Sequence, residues 1–274
     1  ESGHNITQTV FAQCGAFYRQ DGPEEFRSVG ETEFAQGVAA MSRSGAYGST
    51  RLCSGIFGFA DLRAGTNAES VLQAHLTASP NFRGIRTAFP SDLNSKYLEG
   101  FALLAKYELS FDHYSPDFKK LPLLAKLASS NPDVTVIVNH LGGTVDLTAD
   151  KETFETWKQY IKTVAASQTT VMKLGGAQMR VGSWEPHFHM NRQAMPSSSD
   201  ALCELLFPHY MAAIEAFGPD RCMFESNFPV DKECLSYRTI WNLFKKIAKK
   251  ASLSEGEKAA LFHGTAARVY RLLD

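Results

Sequence analysis

Several apolar segments of this 274-residue sequence end in polar or ionisable residues. The segment VTVIVNHLGG carries His140 before two glycines, TTVMKLGGA carries Lys173 before another glycine pair, and FRGIR ends with Arg86. A positioned imidazole can take a proton from water, whereas guanidinium and ammonium groups bind a carboxylate or a developing oxyanion. Residues of these types suit the activation of water beside an anionic group.

Two further apolar segments carry acid, base or amide groups at their ends. ELSFDHY contains Asp112 and His113, and RCMFESNFPVD contains Asn227 and, four residues later, Asp231. An Asn side chain cannot take a proton from water, so Asp231 is the nearest carboxylate that could act as a base in this segment. The sequence is equally compatible with Asp231 only capping the helix that follows.

Strands and helices must position these groups. Along the chain, apolar runs rich in β-branched and aromatic residues alternate with segments whose apolar residues recur at helical spacing. Seven strands are predicted, at Thr7–Cys14, Arg51–Ala60, Phe82–Phe89, Leu109–Tyr114, Val134–Leu141, Thr170–Gly175 and Cys222–Phe228. Helices are predicted at about Glu31–Ser44, Asn67–Ala78, Leu93–Lys106, Asp117–Ser129, Lys151–Ala165, Ser199–Phe217, Ser236–Lys250, Glu255–Phe262 and Ala266–Leu272.

This repeated alternation predicts an α/β fold with parallel strands and crossover helices, in one domain over residues 1–274. An open doubly wound sheet would also alternate, but the chain has neither a Gly-x-Gly-x-x-Gly turn nor a Walker-type loop, so a barrel is favoured. Barrel enzymes place their active sites at the carboxyl ends of the strands. We therefore expect His140, Arg86, Lys173 and Asn227 to converge on one pocket.

The bulk composition indicates a globular protein with no signal for nucleic-acid binding or membrane insertion. A formal net charge of −1 gives no electrostatic footprint for nucleic acid, and no apolar run approaches the roughly 20 residues that span a bilayer. Five cysteines without a Cys-x-x-Cys pair favour a reducing compartment, so we expect a cytoplasmic location. Cys14 is interpreted as a small buried side chain. The expected partner is a small-molecule substrate, and the chain could also form a homo-oligomer.

Four of these segments, NHLGG, MKLGG, FRGIR and above all FGPDRCMFESNFPVDK, resemble the amidohydrolase-2 family of the amidohydrolase superfamily. The resemblance runs nearly the full length, from VFAQCGAFYR to ALFHGTAARVYRL. It implies a (β/α)8 TIM-barrel fold and a hydrolase related to metal-dependent enzymes. Better-known relatives of this family hydrolyse lactones of sugar acids and of aromatic-degradation intermediates.

The sequence departs from the family pattern at two places. Family members normally begin with a strand carrying a His-x-His metal pair, and this chain starts after that point. A His-x-His motif is present here at His187 and His189. In the family resemblance, Phe188 and His189 correspond to a Phe-His pair in a loop, which implies a substrate-side or structural role. The second departure is Asn227, which stands where the superfamily usually has an acidic residue.

The sequence therefore predicts a barrel lacking its first strand and a hydrolase acting on a small cyclic ester or related carboxylated substrate. Water would be activated near His140 and Asp231, and the anion would be held by Arg86 and Lys173. Three further residues, Asp112, His113 and His189, would line the pocket. We expect no metal bound by this chain alone, whereas a full-length form could hold one divalent ion, zinc or manganese. A metal-dependent decarboxylase and an inactive truncated paralogue are the alternatives.

Overall fold

The computed structural model describes residues 3–143, 150–177, 198–233 and 235–272. Seven strands follow one another in the sheet in chain order. They are β1 (Gln8–Ala12), β2 (Arg51–Gly58), β3 (Phe82–Ala88), β4 (Ser110–Tyr114), β5 (Val136–Val138), β6 (Thr170–Leu174) and β7 (Cys222–Phe224).

Helices alternate with these strands along the described chain. They are α1 (Val29–Arg43), α2 (Ala68–Ala78), α3 (Ser95–Lys106), α4 (Leu121–Ser130), α5 (Lys151–Ala165), α6 (Ser199–Phe217), α7 (Tyr237–Lys250), α8 (Glu255–Ala259) and α9 (Thr265–Val269). The α/β class and the strand–helix alternation of a (β/α)8-type fold are thus confirmed, with seven strands in the described ranges.

The chain forms two compact units. The first unit contains residues 5–113, 130–136 and 267–274, and the second contains residues 1–4, 114–129 and 137–266. The boundary therefore crosses β4 and β5. The single domain predicted over residues 1–274 stays a prediction.

In the first unit, β1 pairs in parallel with β2, and β2 in parallel with β3. Gly84 allows β3 to approach β4, because a Cβ atom there would lie 2.2 Å from Oγ of Ser110. Large apolar side chains close the core of this unit, and the fully buried ones include Ile56, Leu62, Leu72, Ile85, Phe101 and Phe111. Burial of each such side chain contributes roughly 1.5–3 kcal/mol.

In the second unit, β6 pairs in parallel with β7, and the Cα partners Lys173 and Met223 set the register. Outside this pair, α7 begins after Ser236, whose side chain accepts a hydrogen bond from the Thr239 amide. One face of α7 is buried. Phe244 on that face stacks on Phe224 of β7 at 4.6 Å between ring centroids. The helix thus covers the strand that leads into the candidate site.

Two expectations from the sequence need correction. The strand predicted to reach Leu141 ends at Val138, because a 3-10 turn from His140 to Gly142 replaces its last residues. Cys14 is exposed rather than buried, and its thiol donates a hydrogen bond to Oε1 of Glu31 at 3.1 Å.

No helix among the described residues is long and apolar enough to cross a membrane.

Candidate active site

The second unit brings a histidine and a glutamate together at the ends of two strands. His140 follows β5, and Glu225 follows β7 directly. The Nδ1 atom of His140 lies 2.6 Å from Oε1 of Glu225. The His140 side chain is 5% exposed and that of Glu225 is 17% exposed. A short hydrogen bond between shielded groups fixes the position of the imidazole ring.

This contact also sets the chemical state of the imidazole nitrogens. A carboxylate only accepts hydrogen bonds, so Nδ1 of His140 carries the proton shared with Glu225. The other nitrogen, Nε2, has no hydrogen-bond partner among the residues described, and in the neutral ring it carries the lone pair. A histidine held by a carboxylate in this way can act as a general base through its other nitrogen.

Two glycines leave room for this pair at the end of β6. A Cβ atom on Gly176, which has a φ of +67°, would lie 2.3 Å from Nδ1 of His140. A Cβ atom on Gly175 would lie 2.2 Å from the backbone oxygen of Glu225. Real Cβ atoms do not approach other atoms so closely, so any larger residue at either position would displace the pair.

Lys173 on β6 is 5% exposed, and its Nζ atom has protein partners. It lies 3.9 Å from Oε2 of Glu225 and donates a long hydrogen bond of 3.5 Å to Oδ1 of Asn139. Glu225 thus faces an imidazole through one oxygen and an ammonium group through the other. Opposite charges at this distance attract each other.

An aromatic ring covers another side of the imidazole. The ring of Tyr114, at the end of β4, meets the ring of His140 edge to face at 5.5 Å between centroids. The backbone under His140 is also unusual, because His140 and Leu141 have φ values of 54° and 57°. Such left-handed conformations of non-glycine residues are costly and often occur at functional sites.

Asn227 and Asp231 form a second pair in the same unit. Nδ2 of Asn227 donates a hydrogen bond of 2.7 Å to Oδ1 of Asp231. Asp231 is fully buried, and burial raises the pKa of its carboxyl group to about 7, with the Glu225 carboxylate adding to the increase. Asp231 does not cap the helix that follows, because Ser236 does so. That alternative interpretation of Asp231 was therefore wrong.

The first unit holds the other predicted site residues that the structure describes. Arg86 donates through Nη2 to the backbone oxygen of Gln13, and its guanidinium lies over the Phe57 ring at 5.4 Å. Asp112 and His113 on β4 are fully buried. His189 lies outside the described residues.

Asp112 and His113 contact the interior of the first unit. Oδ1 of Asp112 accepts a hydrogen bond of 2.9 Å from the Tyr270 hydroxyl. The ring of His113 meets that of Phe89 edge to face at 4.7 Å. Both contacts stabilise the fold around β4. The predicted roles of Arg86, Asp112 and His113 toward a substrate stay predictions.

Sequence reasoning missed Glu225, although its partner His140 was identified. A signal was present, because a glutamate directly follows the buried residues Met223 and Phe224. Charged residues beside a buried strand are rare unless they are paired or functional. The general base in this segment was instead sought at Asp231, whose carboxyl group is fully buried.

Comparison with known proteins places this arrangement in a family. The model of the Amidohydrolase family matches residues 16–272. The chain belongs to the amidohydrolase family. An uncharacterized protein of Sinorhizobium fredii is 36% identical over 258 residues, which are 89% of this chain and 76% of that protein. The predicted resemblance and enzyme class are confirmed.

Two further amidohydrolase relatives inform the fold and the chemistry. An L-fucono-1,5-lactonase of Burkholderia multivorans is 28% identical over 226 residues, covering 79% of this chain and 71% of the lactonase. An amidohydrolase of Burkholderia multivorans, crystallised with bound zinc, superposes with a TM-score of 0.70 at 22% identity. That alignment covers 98% of this chain and 100% of the crystallised one, and it shows the amidohydrolase fold.

Members of the amidohydrolase family often bind a divalent metal. In residues 3–143, 150–177, 198–233 and 235–272, no three His, Cys, Asp or Glu side chains are grouped so that they could hold a metal ion. The donor set of the described residues therefore does not fit a metal, and the chemistry proposed for this site uses protein groups alone.

Proposed function

We propose that this amidohydrolase hydrolyses a small lactone and that His140 is its general base. The observation that carries the proposal is the 2.6 Å contact between Nδ1 of His140 and Oε1 of Glu225. Glu225 holds the ring and leaves Nε2 available to remove a proton from water. Positioned general bases of this kind typically contribute about 10²–10⁴-fold to the rate.

The reaction would follow the order of ester hydrolysis. Nε2 of His140 takes a proton as a water molecule attacks the lactone carbonyl carbon, and an oxyanion forms. Collapse of this intermediate breaks the bond to the ring oxygen, and the imidazolium returns its proton to that oxygen. The product is an open-chain hydroxy acid. Glu225 stabilises the imidazolium during these steps by its negative charge.

Lys173 acts through Glu225 in this proposal. The ammonium group is almost fully buried and lies 3.9 Å from Oε2 of Glu225 and 3.5 Å from Oδ1 of Asn139. Its positive charge attracts the negative charge of Glu225 and so helps to hold the side chain that contacts the imidazole.

A lactone is the proposed substrate because the L-fucono-1,5-lactonase relative is similar over most of this chain. Attack of an activated water on a cyclic ester also needs only the groups that surround His140. The open-chain acid product distinguishes this reaction from decarboxylation of an aromatic acid, which releases carbon dioxide.

The test is an acid-release assay on a panel of sugar-acid lactones, beginning with L-fucono-1,5-lactone, in parallel with metal analysis of the purified protein. We expect turnover by the unmodified protein and a loss of about 10²–10⁴-fold in His140→Ala. The matched control is His263→Ala, because His263 is exposed on the same unit. Release of carbon dioxide from aromatic acids without lactone turnover, or no turnover of either class, would contradict the proposal.

A further inference from the structure

The side chain of Asn227 is held in one orientation by Asp231. Nδ2 of Asn227 donates to Oδ1 of Asp231 at 2.7 Å, and the backbone amide of Asp231 donates to the backbone oxygen of Asn227 at 3.1 Å. Asn227 itself has a left-handed backbone with a φ of 50°. The two hydrogen bonds close a short loop that stabilises this conformation.

The chemistry of the two partners decides which end of the amide faces the carboxyl group. An Asn side chain has a donor end at Nδ2 and an acceptor end at Oδ1, whereas an ionised carboxylate only accepts. The structure places Nδ2 of Asn227 against Oδ1 of Asp231, so Oδ1 of Asn227 points away from that carboxyl oxygen. Among the residues that the structure describes, Oδ1 of Asn227 accepts no hydrogen bond.

Asn227 follows Glu225 by two residues in the segment after β7. Asp231 is close enough to Glu225 for the two carboxyl groups to interact electrostatically. Glu225 in turn contacts His140. Asn227, Asp231, Glu225 and His140 therefore form one continuous cluster in the second unit.

We propose that Asp231 is a positioning residue, which keeps Oδ1 of Asn227 turned toward the active site as an acceptor for an O–H group. The donor is the attacking water or a hydroxyl group of the substrate. This inference rests on the proposed lactone hydrolysis. We assign Asp231 a positioning role because its carboxyl group is fully buried and accepts the hydrogen bond of Asn227.

The orientation of the Asn227 side chain can be tested by NMR without any measurement of enzyme activity. In protein labelled with ¹⁵N at asparagine, we expect the Nδ2 protons of Asn227 to exchange slowly and to shift as Asp231 titrates near pH 7. Asn67 is the matched control, because it is exposed and its side chain makes no capping hydrogen bond. Fast exchange at Asn227, with no titration, would overturn the proposal whatever the enzyme activity.

Variants that swap the residue types at positions 227 and 231 provide the kinetic test. In Asp231→Asn the partner amide can donate or accept, so Asn227 is no longer held in one orientation, and we expect a loss of about 10²-fold. Asn227→Asp places two carboxyl groups face to face and should also lose activity. The double variant N227D/D231N restores a donor–acceptor pair with an outward-facing oxygen, and it should recover activity relative to both single variants. Independent, additive losses would contradict the proposal.

Two lactones distinguish the source of the O–H group. If Oδ1 of Asn227 orients water, Asp231→Asn should lower kcat equally on L-fucono-1,5-lactone and on δ-valerolactone, which has no ring hydroxyls. If it binds a substrate hydroxyl, only the hydroxylated lactone should be affected. Unchanged rates on both would overturn the inference. A protein that hydrolyses neither lactone but shows the titrating, protected Asn227 amide would contradict the proposed function while confirming that Asp231 orients the side chain of Asn227.

Discussion

Nδ1 of His140 and Oε1 of Glu225 meet at 2.6 Å, although the two residues are 85 positions apart in the chain. The contact joins the segment after β5 to the segment after β7. Local sequence preferences do not bring these residues together. The pairing of β6 with β7, and the glycines at the end of β6, make the approach possible.

Replacement of Glu225 by Gln should reduce lactone hydrolysis by at least about 10²-fold. A glutamine amide has no negative charge to stabilise the imidazolium, and it can present either a donor or an acceptor to Nδ1 of His140. Steady-state kinetics should show the loss in kcat. Glu215→Gln, an exposed change on α6, is the control and should leave kcat unaltered. Equal kinetics for both variants would argue against a histidine–glutamate pair.

Gly176→Ala should reduce both activity and stability. The new Cβ atom would lie 2.3 Å from Nδ1 of His140 at a φ of +67°, and the left-handed backbone alone costs a non-glycine residue roughly 1–2 kcal/mol. Gly37→Ala is the matched control, because no atom lies within 4 Å of its new Cβ. Alanine should stabilise that α1 position by about 0.5–1 kcal/mol. Urea unfolding and the lactone assay together test this contrast.

Tyr270→Phe should destabilise the first unit without changing KM. The substitution removes the 2.9 Å hydrogen bond to Oδ1 of Asp112, which is fully buried, and such losses cost about 1–3 kcal/mol. Tyr47→Phe, at an exposed tyrosine, should have little effect on the unfolding midpoint. A normal midpoint with a raised KM in Tyr270→Phe would instead favour the predicted substrate role of Asp112.

Acidification from pH 6.5 to about pH 4 should destabilise the protein through His75. Burial lowers the pKa of this histidine to about 4 from an ordinary value of 6.5. In this pH range the unfolded chain binds a proton at His75 that the folded chain does not bind. The free energy of unfolding therefore falls as the pH falls, by on the order of 1–3 kcal/mol.

The variant His75→Gln cannot be protonated, so its free energy of unfolding should depend less on pH over the same interval. Removing the ring also loses its stacking on Phe82 at 4.8 Å, which should lower stability at pH 7. His263→Gln, at an exposed histidine, should keep the original pH dependence. Urea titrations at pH 7, 6 and 5 compare the three proteins, and an unchanged slope in His75→Gln would contradict the assignment.

Periodicity predicted most of the fold because burial repeats along each element. The helix predicted over Lys151–Ala165 has those bounds in the structure, and Asp150 caps it through the Thr153 amide. The helix predicted from Asp117 begins later, at Leu121. The Asp117 side chain instead accepts a hydrogen bond from the Lys119 amide and begins a 3-10 turn that precedes the helix.

The candidate site was harder to predict because tertiary contacts decide its chemistry. His140 was identified from its place at a strand end, but the apolar run around it could not show the turn that ends β5. Lys173 was interpreted as an anion holder, which stays a prediction, and its contact with Glu225 at 3.9 Å was not foreseen. A contact of this kind depends on strand register, which a single sequence does not reveal.

The left-handed backbone at His140, Leu141 and Asn227, with φ values of 54°, 57° and 50°, has a consequence for protein engineering. Glycine adopts this conformation without a steric cost. At the fully buried Leu141 it would leave a cavity, but at His140 and Asn227 a selection for heat resistance alone would favour glycine. The same replacements would delete the imidazole and the amide. Directed evolution of a heat-resistant form therefore requires an activity screen at every round.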